Sequence, residues 1–389
     1  MSVLRMPDAV ATVQGPQAFR EGRLYRLGDA AIAFVPSAQK LMVLNPTAGY
    51  IWTRVAAGVS PDSCVDELRE LMAVPPPAAR EYVDAFLDGV SRALEAEEPE
   101  FDLHVLPAQP ARRGDVAASA CYRLGSAVVR ISCTSQREHE AIAGMLSHLA
   151  TGDRPADHTV DVVSEADGLR LILDSATGIT CESPRELLPG LVTLLFSVWY
   201  RSSVDFVAFH AGLVAFQGRT VLIPGNSGSG KTTTTAALLS VGAAYMSDDV
   251  VALERETLAA TGFPVPLAVK AEHVSRIAAF FPDLADQSEH VRMDGTRLRY
   301  LTPGRIGHGR RIDAIVFPRY RQDSETAVET VPPAEALQRL ASEWVRVATI
   351  SDEDVERLVD WIGSTPSVQI TYGSPDALRQ ALDGFLETR

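Results

Sequence analysis

The chain contains the octapeptide Gly225-Asn226-Ser227-Gly228-Ser229-Gly230-Lys231-Thr232, which fills every fixed position of the pattern G-x-x-x-x-G-K-[ST]. The apolar, β-branched run at 220–224 comes directly before it and predicts a buried strand. The run at 233–239 predicts a helix that ends near Gly242. Strand, glycine-rich loop and helix in this order are the context in which this pattern binds phosphate groups.

The residue types of the loop suit a polyanion. Glycines allow successive backbone N–H groups to turn towards one point, and the following helix directs the positive end of its dipole there. Lys231 would bridge the β- and γ-phosphates, and the Thr232 hydroxyl would ligate Mg²⁺. The predicted nucleotide-binding residues are Gly225, Asn226, Ser227, Gly228, Ser229, Gly230, Lys231, Thr232 and Thr233. We expect ATP as the donor and Mg²⁺ as the cofactor, with GTP or pyrophosphate as open alternatives.

Length and charge limit the class of protein. A chain of 389 residues is long enough for two or three domains. Its net charge of −14 argues against general binding to nucleic acid or to anionic membranes. The start of the chain lacks the layout of a signal peptide, and no apolar run is long enough to span a membrane. The 4 cysteines form no C-x-x-C pair and are expected to be reduced thiols. These features predict a cytoplasmic protein.

Residues 1–93 predict a small winged-helix-like domain. Short strands are expected at 23–27, 31–35 and 40–44, followed by three helices that open at Asn45, Ser60 and Pro77. Positions 1–100 hold 9 basic and 14 acidic residues, so DNA binding is not expected of this domain.

The run from Leu41 to Trp52, LMVLNPTAGYIW, and the helices that follow it resemble the PqqD-like family of peptide-recognition modules. This resemblance implies that a leader peptide of a ribosomally made precursor binds as an added strand, between the third strand and the third helix. The residues concerned would be Lys40, Leu41, Met42, Val43, Leu44, Tyr82 and Phe86. The alternative is a structural appendage that binds nothing.

The middle of the chain carries no recognisable chemistry. Residues 94–116 are polar and contain proline, which predicts a linker. Residues 117–204 predict an α/β lead-in subdomain, with strands near 121–132, 158–163 and 168–174 and helices near 136–150 and 183–203.

Two further features lie near the loop in sequence. His210 stands in an apolar strand 15 positions before Gly225, and Asp248 and Asp249 precede another apolar strand. Neighbouring side chains of an extended strand point to opposite faces, so one carboxylate would face the phosphate and the other would hold a loop, water or metal. A carboxylate in this position would take the proton of an attacking hydroxyl. Asp248 is the preferred base, and Asp249 is an open alternative. For His210, the alternative to a role in the site is a histidine that is simply packed in the core.

This arrangement of His210, the glycine loop and Ser247-Asp248-Asp249 resembles the HPr kinase family. The resemblance implies a kinase domain over 205–389 that transfers phosphate to a serine or threonine hydroxyl. It implies Asp248, Asp249, His210 and Lys231 as catalytic residues and Thr232 and Asp249 as metal ligands. Helices are expected near 333–346, 352–363 and 375–387. The sequence does not show which further acidic residue completes the Mg²⁺ site.

The sequence therefore predicts an α/β (α+β) fold, with a PqqD-like module before a P-loop kinase domain that contains a mixed sheet. The expected function is ATP- and Mg²⁺-dependent phosphorylation of a hydroxyl on a precursor peptide. One alternative is a kinase for a small molecule or a folded protein, and another is a nucleotide-gated peptide-delivery protein that transfers no phosphate. A homo-oligomer is left open.

Overall fold

The computed structural model describes residues 17–96, 106–107, 115–166, 168–225, 228–308, 310–322 and 324–387. Most of the predicted linker at 94–116 lies outside these residues. Its helices are α1 (Gln17–Glu21), α2 (Pro46–Ala56), α3 (Pro61–Met72), α4 (Pro76–Glu95), α5 (Gln136–Leu146), α6 (Leu187–Ser203), α7 (Lys231–Ser240), α8 (Ala271–Ala278), α9 (Pro333–Ala341), α10 (Asp352–Ser364) and α11 (Pro375–Glu387). In the part of the chain so described, no helix combines the length and the hydropathy needed to cross a bilayer.

The strands up to the loop are β1 (Arg23–Leu27), β2 (Ala30–Val35), β3 (Lys40–Leu44), β4 (Leu106–Pro107), β5 (Ala118–Leu124), β6 (Ala127–Cys133), β7 (His158–Glu165), β8 (Gly168–Leu173), β9 (Thr177–Cys181), β10 (Val207–Phe216) and β11 (Arg219–Pro224). The later strands are β12 (Ala244–Ser247), β13 (Val250–Leu253), β14 (Ala260–Gly262), β15 (Leu267–Lys270), β16 (His290–Val291), β17 (Arg297–Leu301), β18 (Ala314–Tyr320), β19 (Ala327–Thr330), β20 (Trp344–Val347) and β21 (Ser367–Tyr372). Helices and mixed sheets confirm the predicted α/β class.

The described residues form two compact units. The first unit is drawn from Met1–Glu100, Val331–Ser342 and Val347–Pro366, and the second from Phe101–Thr330, Glu343–Arg346 and Ser367–Arg389. Helices α9 and α10, which the sequence assigns to the kinase domain, thus belong to the unit that holds β1 to β3.

The first unit is built on an antiparallel sheet of order β1-β2-β3. One face of this sheet packs on α2 to α4 around Trp52. Two helix starts follow the sequence prediction, since the Asn45 side chain accepts a hydrogen bond from the Ala48 N–H at 2.8 Å and Ser60 accepts one from the Ser63 N–H at 3.1 Å. Side chains of the opposite face are also buried, among them Ile32 and Phe34.

Helices α9 and α10 explain why both faces of this sheet are buried. Helix α10 contacts β1 and α9 contacts β3. The Tyr25 hydroxyl donates a hydrogen bond to Asp352 Oδ1 at 2.8 Å, and Arg23 forms an ion pair with the same carboxylate. The Gln39 amide oxygen accepts a hydrogen bond from the Ile350 N–H at 2.7 Å. The continuous apolar run of β2 agrees with a strand buried on both faces. It could not show what covers the second face, because the two helices come from the other end of the sequence.

The second unit contains a six-stranded sheet of order β4-β9-β8-β7-β6-β5. Helix α6 packs on it and buries Trp199 and Leu191. The strand predicted at 121–132 is a hairpin of β5 and β6, and β9 was missed by the sequence analysis. The cause is that β9 is a short strand containing Gly178, with only two fully buried residues.

A nine-stranded sheet carries the P-loop. Its main order is β14-β13-β10-β11-β18-β21-β19, and both β12 and β20 also pair with β10. The β11–β18 and β18–β21 pairs are parallel, whereas β10 is antiparallel to β11, β12 and β13. This confirms the predicted mixed sheet. A separate sheet of order β15-β17-β16 lies in the same unit.

One predicted helix is too long. The helix expected at 333–346 ends at Ala341, and Trp344–Val347 form β20. Aromatic and β-branched residues such as Trp344 and Val345 favour a strand, and pairing with β10 provides the backbone hydrogen bonds.

Candidate nucleotide-binding and phosphoryl-transfer site

The glycine loop joins β11 to α7 and requires glycine at three described positions. Gly228 and Gly230 have φ angles of +89° and +97°, in the left-handed region that other residues rarely adopt. A Cβ atom on Gly225 would lie 2.3 Å from Ser229 Oγ. Asn226 and Ser227 lie outside the described residues. Helix α7 begins directly at Lys231, so its first turn and the loop face the same space.

The lysine of the loop is buried without a partner. Lys231 is 6% exposed, and its Nζ atom has no hydrogen-bond partner in the described residues. Burial lowers the pKa of Lys231, while the charges of Asp249, Asp248 and Glu343 act in the opposite direction. A buried ammonium without a hydrogen bond is costly, and a phosphate group would supply the missing acceptor.

The two carboxylates lie in the short connection between β12 and β13. Both strands pair with β10 in one register on either side of this connection, since Ser247 lies opposite Leu213 and Val250 lies opposite His210. The Ser247 hydroxyl donates a hydrogen bond to the Val250 carbonyl at 2.9 Å across the connection. Asp248 is buried, whereas 56% of the Asp249 side chain is exposed.

Asp248 faces the first turn of α7. Burial raises its pKa to about 7, although Lys231 and the Thr232 hydroxyl lower it. Its Oδ1 atom is buried without a hydrogen-bond partner in the described residues. The sequence analysis paired Thr232 with Asp249 at the metal, whereas the Thr232 hydroxyl interacts with Asp248 in the structure.

Asp249 is instead the partner of His210. The ring atom Nδ1 of His210 lies 3.2 Å from Asp249 Oδ1. The backbone N–H of His210 donates a hydrogen bond to the backbone carbonyl of Glu343 at 2.7 Å. Burial lowers the pKa of His210, and the charge of Asp249 opposes this shift. The imidazole is therefore neutral near pH 7, with its open side towards the cavity.

The loop, the two carboxylates and His210 line one cavity of 270 Å³. The sequence analysis missed other residues of the cavity lining, among them Lys270, His273, Arg276, Arg292 and Tyr300. Arg292 belongs to an arginine-rich run at 291–321, but the run alone does not show which arginine faces a ligand. Arg297, for example, forms an ion pair with Glu289, and Arg305 donates a hydrogen bond to the Gly242 carbonyl.

A third acidic residue lies near the loop. Glu343 is 7% exposed, precedes β20, and acts on Lys231 electrostatically. The sequence did not indicate it, because the residue was expected inside a helix. Only the pairing of β20 with β10 brings it beside the His210 strand.

The donor set suits Mg²⁺. This ion prefers oxygen ligands and retains water, and in nucleotide sites it takes one or two protein groups together with phosphates. The Thr232 hydroxyl and the unpartnered Oδ1 of Asp248 provide such groups. No group of three or more His, Cys, Asp or Glu residues in the described chain is arranged to hold a metal. The residues present therefore fit an ion shared with a nucleotide rather than an ion held by protein alone.

The predicted peptide groove lies in the first unit. Strand β3 pairs only with β2 among the described strands, so it is an edge strand of this sheet, and α4 and α9 contact it. Tyr82 is 47% exposed, whereas Phe86 is partly buried, with its ring centroid 6.0 Å from that of Phe19. Leu44 is buried in the same core, and Lys40, Leu41, Met42 and Val43 are half-buried.

Comparisons with known proteins confirm the N-terminal resemblance. Residues 31–93 match the family model of coenzyme PQQ synthesis protein D (PqqD). No curated protein matches the chain. Among solved structures, the chain is similar to the HPr(Ser) kinase/phosphatase from Coxiella burnetii, with a TM-score of 0.25 and 12% identity, over 46% of this chain and 97% of that chain. A TM-score this low carries no argument about activity, which has to come from the geometry of the site.

Proposed function

We propose that this protein is an ATP- and Mg²⁺-dependent kinase for a serine or threonine hydroxyl on a peptide captured by its N-terminal module. The observation that carries the proposal is the buried ammonium of Lys231, which has no hydrogen-bond partner among the described residues and lines one cavity with Asp248, Asp249 and His210. An ammonium and a helix N-terminus suit the phosphates of the donor, and an accessible carboxylate suits the proton of the acceptor.

The loop would hold the donor. Backbone N–H groups between Gly228 and Thr232 and the ammonium of Lys231 would bind the β- and γ-phosphates. Mg²⁺, held by Thr232 and Asp248, would neutralise charge on the phosphate oxygens. Glu343, near Lys231, would keep the lysine charged against the effect of burial.

Asp249 is our choice of proton acceptor. Its side chain is more than half exposed, so an acceptor hydroxyl can reach it, whereas Asp248 is buried against α7. The hydroxyl proton would pass to Asp249 as the hydroxyl oxygen bonds to the γ-phosphorus. The bond from that phosphorus to the β–γ bridging oxygen would break, and ADP would leave with the electron pair. His210 would position Asp249 through the 3.2 Å contact.

Peptide capture would be the task of the first unit. An extended segment would add to the edge strand β3 through main-chain hydrogen bonds, and Tyr82 would contribute side-chain contact. Tethering an acceptor in this way raises its local concentration to about the millimolar range. Weak binding of the acceptor at the cavity would then be sufficient.

The test is a phosphoryl-transfer assay with candidate precursor peptides, read by mass spectrometry. We expect phosphopeptide with the wild type and a loss of about 10²-fold or more in rate for Asp249→Asn. The matched control is Asp283→Asn, which changes an exposed carboxylate outside the cavity. Phosphopeptide formed equally by wild type and Asp249→Asn would contradict the assigned role.

The alternatives give other outcomes in the same assay. MgATP and peptide binding without phosphopeptide would identify a nucleotide-gated delivery protein. Transfer to a small molecule or a folded protein that does not change with Tyr82→Ala would identify a kinase with a structural N-terminal module. Deleting residues 1–100 is a poor test, because it would strip α9 and α10 of the sheet on which they pack.

A further inference from the structure

The cavity beside the glycine loop has an apolar part as well as an ionic part. The apolar part of its lining, termed the apolar subsite, consists of Val192, Phe263, Val265, Pro266, Ala268 and Tyr300. Phosphate groups and Mg²⁺ take polar and charged partners, so the proposed phosphoryl transfer does not account for this surface. The cavity therefore offers a second kind of contact to a ligand.

The apolar subsite is one continuous surface. Phe263, Val265 and Tyr300 are buried members of a single hydrophobic cluster. Val192 from α6 and Ala268 from β15 pack against this cluster but remain half-buried. Apolar atoms that stay accessible on such a support gain free energy when another apolar group covers them. An apolar side chain is therefore the kind of group that this surface suits.

The backbone holds the apolar subsite close to Asp249. The carbonyl of Val250, the residue after Asp249, accepts a hydrogen bond from the Phe263 N–H at 2.9 Å. Burial raises the pKa of the Tyr300 hydroxyl, the charge of Arg292 lowers it, and the charge of Asp249 raises it further. Both Phe263 and Tyr300 are thus neighbours of the carboxylate that we assign as the proton acceptor.

The geometry of phosphoryl transfer limits which ligand the apolar subsite can meet. The attacking and the leaving oxygen lie roughly in line, on opposite sides of the γ-phosphorus. With Asp249 as the proton acceptor, the attacking hydroxyl lies on the same side as Asp249. The nucleoside continues from the leaving oxygen, on the other side. Since the apolar subsite borders Asp249, it faces the phosphate acceptor rather than the nucleoside.

A hydroxyl within the apolar subsite provides a polar contact. Tyr300 is 6% exposed and lies directly opposite Ala268 in the β15–β17 pair. Its ring centroid is 5.6 Å from that of His290, and its hydroxyl has no hydrogen-bond partner among the described residues. The raised pKa keeps the phenol neutral and therefore a donor. Buried tyrosine hydroxyls usually have a partner, and a carbonyl oxygen of a bound peptide can be that partner.

We infer that the apolar subsite holds a branched aliphatic side chain next to the phosphorylated serine or threonine, and that the Tyr300 hydroxyl donates a hydrogen bond to a peptide carbonyl there. The inference rests on the proposed kinase function and specifies its substrate class as peptides with such a residue beside the hydroxyl. A neighbouring side chain held in this way restricts the orientation of the hydroxyl and keeps it near Asp249. Ala268 then limits the size of the side chain.

The probe is a series of synthetic peptides with one serine or threonine in a fixed polar background. The residue before it or after it is Gly, Val, Leu or Asp in turn. With the wild-type full chain at saturating MgATP, we expect kcat/KM to be about tenfold or more higher for Val or Leu than for Gly at one of the two positions. The reason is that the subsite removes an aliphatic side chain from water.

The Tyr300→Phe variant tests the hydroxyl without changing the shape of the subsite. It should lower kcat/KM for the Val and Leu peptides about three- to tenfold, with the KM for MgATP unchanged. Its melting temperature should not fall, because the hydroxyl has no partner within the described protein. The matched control is Tyr245→Phe, which removes a hydroxyl that donates to the Val265 carbonyl at 2.6 Å. This control should lower the melting temperature and keep the preference for Val and Leu.

The Ala268→Leu variant tests the size of the subsite. Ala268 is half-buried, so a larger side chain can extend into the cavity. We expect kcat/KM to fall about tenfold more for the Leu peptide than for the Gly peptide. The matched control is Ala327→Leu, at an exposed position of β19 outside the cavity lining, which should keep the wild-type preference. If Ala268→Leu does not fold, the wild-type peptide series and Tyr300→Phe still decide the question.

The outcomes separate this inference from the proposed function. Equal kcat/KM for the Gly, Val and Leu peptides at both positions would overturn the inference and leave the kinase standing. A preference that is unchanged in both Tyr300→Phe and Ala268→Leu would also overturn it, since the side chain would then bind elsewhere. A raised KM for MgATP in Tyr300→Phe, with peptide kinetics as in the wild type, would assign the subsite to the nucleoside. No phosphorylation of any peptide, despite MgATP binding, would overturn the proposed function and the inference with it.

Discussion

The Nδ1 atom of His210 lies 3.2 Å from the Oδ1 atom of Asp249, across the pair of strands β10 and β13. Burial keeps the imidazole neutral near pH 7, so Oδ1 of Asp249 faces an uncharged ring nitrogen. The second carboxylate oxygen does not share this contact. A neutral neighbour that positions an exposed carboxylate would suit the proposed role of Asp249 as general base.

The His210 contact can be tested by substitution. We expect His210→Ala to lower kcat about tenfold to hundredfold while the KM for MgATP changes little, since the imidazole would position the base rather than bind the donor. A double-mutant cycle with Asp249→Asn should show that the two effects do not add. Fully additive losses in ΔΔG‡ would mean that the residues act independently.

Lys231 should make opposite contributions to binding and to the stability of the unliganded protein. Lys231→Met removes a buried ammonium without a partner, so we expect the melting temperature of the free protein to stay equal or rise. MgATP affinity measured by calorimetry should fall about ten- to hundredfold, because a charge-assisted contact is lost. Unchanged MgATP affinity would show that the lysine does not meet the phosphates.

Asp248 should make stability depend on pH. Its pKa of about 7 in the folded chain exceeds the ordinary value of roughly 3.9, so between these values the folded state binds more protons than the unfolded state. Its contribution to the free energy of unfolding falls as pH rises through this window and is constant above it. Asp248→Asn binds no proton and should gain stability relative to the wild type between pH 4.5 and 7.5, by about 3 kcal/mol.

This measurement compares melting temperatures of wild type and Asp248→Asn without nucleotide or Mg²⁺. If wild type and Asp248→Asn differ in melting temperature by the same amount at pH 4.5 and at pH 7.5, the buried carboxylate does not titrate in this range. Adding Mg²⁺ should reduce the pH dependence of the wild type, since the cation favours the ionised carboxylate.

Gly212 sets the distance between β10 and α7. A Cβ atom there would lie 2.7 Å from Thr235 Oγ1, and that oxygen is buried without a hydrogen-bond partner in the described residues. We expect Gly212→Ala to destabilise the protein by about 1–3 kcal/mol through overpacking. Adding Thr235→Ala should restore most of the loss in chemical denaturation. If it restores nothing, strain elsewhere in β10 is responsible.

Substitution of Tyr82 should affect peptide binding, whereas substitution of Phe86 should affect stability. Tyr82 is 47% exposed, so Tyr82→Ala should weaken leader-peptide binding, with little change in melting temperature. Phe86 contacts Phe19 and Trp52, with ring centroids 6.0 and 6.4 Å apart, so Phe86→Ala should cost about 2 kcal/mol of stability. Calorimetry with candidate leader peptides would measure the first effect, and urea unfolding the second. Unaltered peptide affinity in Tyr82→Ala would argue against the groove.

Local sequence patterns were sufficient to predict many of the structural elements of this protein. The glycine loop, the strand before it and the helix after it follow from adjacent residues, because glycine geometry and apolar runs act over short distances. Caps at Asn45 and Ser60 are equally local, and the structure has both. The N-terminal resemblance rests on a continuous segment, and the family match at 31–93 confirms it.

Tertiary structure decided what depends on residues distant in sequence. Which of Asp248 and Asp249 is buried depends on how β12 and β13 pair with β10 and pack against the rest of the unit, which the sequence of the pair does not encode. Lys270, Arg292 and Glu343 reach the site from strands and a hairpin far along the chain. Helices α9 and α10 join the N-terminal sheet because its second face is apolar. Side-chain direction and long-range burial are set by packing, so the sequence predicted the glycine loop between its strand and helix but not the residues that surround it.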